Sequence, residues 1–231
     1  MIFVLFWGLG VFCQTANLLW RIKHGEMPKG LDPKVWWILI GTNDLVTGEC
    51  SEEAVVLGIL RLADEIAMTH PGSVVVIQGL LPRTNNMDGT LTHAMLRSVD
   101  FNNTRNRALA RKGNRTWIAR PGHAKPATIY VRPQEYPLWP SIQLINSELE
   151  RFCAKHKHMV YFDAASIFTG SMGNQHYQSQ SKVILQELMP DYAHLSFKGH
   201  EILLKVIAKE LNRIIYENDE TNHKAQDDRH I

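Results

Sequence analysis

Four short, continuously apolar runs constrain what this chain can fold into. They are Ile2–Phe6, Val35–Ile40, Val74–Ile77 and Met159–Phe162. A strand with no polar alternation is buried on both faces, as the strands of a parallel sheet are. Glycine or proline punctuates three of them: Gly8 and Gly10 follow the first, Gly41 stops the second, and Pro71-Gly72 precedes the third. Between the runs lie helical segments. Thr15 to His24 is predicted helical, with Gly25 as its stop and Pro28 just beyond. Ser51 is an expected N-cap, and Glu52 and Glu53 suit the positive end of a helix running to about His70. Further helices are predicted from about Pro140 to Lys157, over Ser181–Leu188, and from Ser196 to Tyr216. In the last, Ile202, Leu203, Val206, Ile207, Leu211 and Ile214 recur at three- and four-residue steps. Strands alternating with helices predict an α/β fold, a three-layer α/β/α sandwich around a parallel sheet. Sites in such sheets form at the carboxyl ends of the strands.

The chain has 231 residues, 45% of them hydrophobic, which suffices for one sizeable domain. That domain is expected over 1–216, with a polar, frayed tail at 217–231. A net charge of +2 selects no class of partner. Cys13, Cys50 and Cys153 lie far apart, an odd and sparse set that argues against a disulfide framework and against a zinc site. Each reads as a small buried apolar residue, and no metal or other cofactor is expected. Met1 to Trp20 carries no charge, so a targeting segment is one reading of it. A buried strand plus helix is the favoured reading, because no basic residue leads the stretch and two glycines interrupt it. A cytoplasmic location follows from that choice, a secretory one from the other.

Met87 to Trp139 reads as a basic insertion. From Leu91 to Glu135 it carries nine cations (Arg97, Arg105, Arg107, Arg111, Lys112, Arg115, Arg120, Lys125 and Arg132) against Asp100 and Glu135. It is expected to be a solvated loop, with contact to an anionic surface as the functional alternative. Its aromatic residues are few, so no nucleic-acid partner is expected.

Two segments carry chemistry. A buried strand delivers Gly41-Thr42-Asn43-Asp44 to its carboxyl end, where the Asn43 amide can point a donor at a developing oxyanion; an ordinary Asx turn is the bland alternative. In Asp191-Tyr192-Ala193-His194, on a loop before the last helix, a carboxylate three residues from an imidazole can fix its tautomer and stabilise its protonated form. The alternative is a loop Asp capping backbone amides beside a surface His.

Together the two segments resemble the Gly-x-Asn-Asp and Asp-x-x-His blocks of SGNH (GDSL-type) hydrolases. Asn17-Leu18-Leu19-Trp20-Arg21-Ile22-Lys23-His24-Gly25-Glu26 and Gly79-Leu80-Leu81-Pro82-Arg83 are similar to the platelet-activating-factor acetylhydrolase catalytic-subunit branch. The likeness spans roughly Val4–Arg83 and Pro140–Tyr216. It implies a flavodoxin-like fold and hydrolysis of a short acyl, in one form acetyl, ester of a small molecule, glycan or lipid. It makes His194 the general base, Asp191 its orienter and Asn43 an oxyanion donor. Gly10 becomes the backbone oxyanion donor, with Val11-Phe12-Cys13 where the family has Gly-Asp.

The family's Gly-Asp-Ser block, which supplies the nucleophile, does not occur. The first serine is Ser51, after the Asn block. A chain without the family's first strand and helix is the favoured explanation, and a ligand- or partner-binding relative without catalysis is the alternative. Loss of that central strand is expected to leave an edge and to expose apolar surface near Trp36 and Trp37.

Overall fold

The computed structural model describes residues 2–6, 14–27, 30–46, 50–84, 86–91, 138–172 and 181–227, with the backbone alone at 2–6, 172, 181 and 218–227. Most of the basic insertion, 92–137, lies outside the described residues, as do Gly10 and Cys13.

Strands β1 (Ile2–Phe6), β2 (Val35–Leu39), β3 (Val74–Gln78) and β4 (Met159–Phe162) form one sheet in the order β1-β2-β3-β4. Every neighbouring pair is parallel, and Ile2, Phe3, Val4, Leu5 and Phe6 match Val35, Trp36, Trp37, Ile38 and Leu39 in register. Helices α1 (Thr15–Arg21), α3 (Glu52–Thr69) and α4 (Leu138–Cys153) connect the strands, and α2 (Thr42–Val46) is a single turn after β2. Three crossovers in one direction put α1, α3 and α4 on one face of the sheet, where α3 packs against both of the others. The Trp36 ring meets His70 at the end of α3, which assigns Trp36 and its register partner Val75 to that face. Trp37, Val76 and Gln78 point the other way and are also buried. Leu203, Ile207, Leu211 and Ile214 of α5 (Phe197–Asp227) form the buried stripe that remains for this second face. The result is a three-layer α/β/α sandwich.

The exposed edge expected at Trp36 and Trp37 is not found. Both residues have 0% exposure, because β1 pairs directly with β2 along its whole length. Trp37 satisfies its indole by donating from Nε1 to Gln78 Oε1 at 2.8 Å, and it meets Phe162 edge-on.

Three further expectations need correction. Ser181–Leu188 is not a helix. Ser181–Ile184 is β6, antiparallel to β5 (Thr169–Met172), and backbone bonds from Leu91 N to Lys182 O and from Ile184 N to Gly89 O add residues 89–91 to its other side. Two β-branched residues at 183 and 184 and the ladder on both sides outweigh local helical preference. The tail does not fray at Glu217, since α5 continues to Asp227. Arg213 pairs with both Glu210 and Glu217, tying the turn at which fraying was expected. Val206 falls off the buried stripe and is exposed. Cys153 is buried, and burial pushes its thiol up to about 11. Among the described residues no helix is long and apolar enough to cross a membrane.

Candidate functional site

The loop from Glu187 to Ser196 is closed at its neck. Ser196 N donates to Leu188 O at 2.8 Å, and Ser196 Oγ donates to Glu187 O while accepting from Gly199 N. That last bond caps the start of α5. Leu188 and Met189 are buried and anchor the loop. A Cβ on Gly199 would lie 2.4 Å from Leu188 O, so only glycine lets the first turn of α5 seat here.

Within this loop Asp191 makes three contacts. Its Oδ1 accepts from Ala193 N at 3.0 Å and His194 N at 2.7 Å, and its Oδ2 lies 2.6 Å from His194 Nδ1. The carboxylate therefore caps the backbone and holds the ring at once. A carboxylate acceptor fixes the neutral tautomer with its proton on Nδ1 and leaves Nε2 as the basic nitrogen. The hydrogen bond to His194, assisted by the two backbone amides, brings Asp191 down to about 2 from 3.8. The two side chains are 71% and 57% exposed for His194 and Asp191, so the imidazole is open to a reactant. Tyr192, between them, has φ +57, a left-handed conformation uncommon for a bulky residue.

Two contacts dock this loop on the segment after β3, and one bond inside the loop holds Tyr192 in place. Thr84 N donates to Tyr192 O at 3.3 Å, Tyr192 N donates to Met189 O at 3.0 Å, and the Tyr192 ring covers Gly89. The segment itself is clamped where it leaves the sheet. Leu80 N donates to Asn146 Oδ1 at 2.7 Å, and Asn146 Nδ2 donates back to Leu80 O at 3.0 Å. Arg83 sits half-buried in this segment, where burial lowers the pKa of its guanidinium and the nearby Asp191 partly offsets that.

Asn43 belongs to α2, which begins directly after Gly41 at the end of β2. Gly41 has φ +117, and a Cβ there would meet Ile59 Cδ1 at 2.9 Å, so the turn that presents Asn43 requires glycine. Asn43 is half-buried. The next residue, Asp44, is buried and points back into the protein. Its carboxylate accepts from Thr15 N at 3.0 Å and from Thr15 Oγ1 at 2.6 Å, holding the first turn of α1. Sequence reasoning gave Asp44 no role. A signal was present: a carboxylate directly after a buried strand needs donors, and a helix N-terminus offers them.

Because β2 and β3 are neighbours, Asn43 and the Asp191–His194 loop lie at the same carboxyl edge of the sheet, on loops that follow or abut adjacent strands. The arrangement can take a proton at His194 Nε2 and stabilise the resulting charge.

No family model matches the sequence, and no curated protein matches it. Among solved structures, the chain is similar to a protein from Streptococcus pneumonia provisionally described as a platelet activating factor. The TM-score is 0.53 at 14% identity, covering 86% of this chain and 68% of that one. The likeness extends to the α/β fold.

Proposed function

We propose that this chain is an ester hydrolase domain of the SGNH type, acting on a short acyl ester. The contact between Asp191 Oδ2 and His194 Nδ1 carries the reading. A carboxylate that orients an exposed imidazole through one nitrogen leaves the other as a general base. In this reading His194 takes the proton of the attacking hydroxyl and returns it to the leaving alcohol. Asp191 holds the ring and balances its charge. Asn43 donates to the oxyanion of the tetrahedral intermediate, and the backbone N–H of Gly10 is its second donor.

The reading requires a serine that these 231 residues do not offer in a Gly-Asp-Ser setting, the first serine being Ser51 after the Asn block. That observation favours a second reading, a ligand- or partner-binding protein on the same fold without acyl-enzyme chemistry. Transcripts of the gene separate the two. An in-frame Gly-Asp-Ser followed by a helix, upstream of Met1, is expected for the hydrolase, and its product should hydrolyse p-nitrophenyl acetate in a serine-dependent way. Transcripts without that block would sink the hydrolase reading for this chain.

A further inference from the structure

The described arginines are paired, with one exception. Arg21 meets Glu26, Arg61 meets Glu65, Arg151 meets Glu148, and Arg213 meets Glu210 and Glu217. Arg83 makes no hydrogen bond or ion pair among the described residues, although it is half-buried and lies beside the loop that carries Asp191 and His194. Asp191 is near enough to act on it electrostatically, but that carboxylate is already engaged by two backbone amides and the imidazole. Among the described residues the five donors of the guanidinium are thus left without an acceptor in a partly desolvated position, where a cation gains most from an anionic partner. A guanidinium fork matches the oxygens of a carboxylate or phosphate two at a time.

We propose that Arg83 is an anion-recognition residue of this site, so that the ester served by His194 carries an oxyanion group, carboxylate or phosphate, near its scissile bond. The substrate assignment rests on the hydrolase reading; the binding of the anion does not. Arg83 here selects and orients; it takes no part in proton transfer.

The test is titration of the 231-residue chain with sodium acetate and, separately, inorganic phosphate at constant ionic strength, followed by the imidazole proton signals of His194 and by calorimetry. Acetamide is the neutral control, and His200 is the internal one. The anion of the right class should shift the His194 signal saturably and leave His200 in place, and which anion binds tighter identifies the group. Arg83→Gln should raise the apparent Kd about tenfold, and Arg83→Lys, which keeps the charge but loses the fork, severalfold. Where Arg83→Gln does not fold, Arg83→Lys carries the comparison. His194→Ala should bind the anion within about twofold of the parent by calorimetry, so a failed hydrolysis assay leaves this result standing. Equal anion binding by parent and both Arg83 variants, acetamide binding as tightly as acetate, or loss of binding in His194→Ala would each overturn the proposal.

Discussion

The carboxylate of Asp191 serves the backbone and the ring of His194 together: Oδ1 accepts the His194 amide at 2.7 Å while Oδ2 meets Nδ1 at 2.6 Å. The two halves of this contact separate under substitution. In Asp191→Asn the side-chain oxygen still accepts the two backbone amides, but the charge that balances a protonated imidazole is gone. Stability is expected to change by less than about 1 kcal/mol in a urea melt, because the pair is exposed. In a form that turns over ester, kcat should fall by roughly two to four orders of magnitude. A large stability loss with little change in rate would reverse the roles assigned here.

Asp191 also sets the pH behaviour. Its pKa is depressed to about 2 from 3.8. A depressed carboxylate contributes fully above its unfolded value and loses that contribution as pH falls through the folded one. The stabilisation is therefore complete above 3.8 and lost on the way down to about 2. Throughout the range where an imidazole titrates, about pH 5 to 8, Asp191 stays ionised. The acid limb of any His194-dependent rate should then follow a single ionisation. A pH–rate profile with a slope of two on that limb would contradict it.

Asp44 and Thr15 tie the Asn43 turn to α1 through buried hydrogen bonds. Asp44→Ala strands the Thr15 amide and hydroxyl in the interior, at an expected cost of about 2–4 kcal/mol in urea unfolding. Thr15→Val, which removes only the hydroxyl, should cost less. The same threonine leaves no room opposite it, since a Cβ on Gly58 would lie 2.3 Å from Thr15 Oγ1. Gly58→Ala should therefore also destabilise, by about 1–3 kcal/mol.

Gly89, far from the loop in sequence, is expected to control it through Tyr192. It has φ +72, and a Cβ there would lie 2.6 Å from Tyr192 Cε1. Gly89→Ala should displace the Tyr192 ring, disturb the Asp191–His194 contact and cost about 1–3 kcal/mol. The imidazole signal of His194 should shift relative to that of His200. An unchanged His194 signal with lowered stability would mean that Gly89 matters only to its pairing with β6.

How much of this was legible in the sequence depends on what each residue answers to. Val35–Leu39 and Val74–Gln78 are strands because unbroken apolar runs suit the inside of a parallel sheet, and sequence shows that directly. Ser51 was equally plain, and its Oγ accepts from Ala54 N as an N-cap should. Ser181–Ile184 was misread because its pairing partners lie at Thr169–Met172 and Gly89–Leu91, and a ladder between distant segments leaves little local trace. The cover over Trp36 and Trp37 was missed because strand order is a tertiary choice that apolar runs do not encode. At the site, Asp191 and His194 could be paired from their spacing on a short loop. Asp44 and Arg83 could not, because the role of each depends on a segment far away in sequence, Thr15 in one case and the 187–196 loop in the other.

The central claim is that His194, oriented by Asp191, is a working base. Side-by-side hydrolysis of p-nitrophenyl acetate by the 231-residue chain and by His194→Ala tests it most directly. The account predicts a slow reaction of which His194 supplies on the order of tenfold, below the roughly hundredfold to ten-thousandfold that a base supplies in a complete site. Equal rates for the two proteins would contradict it.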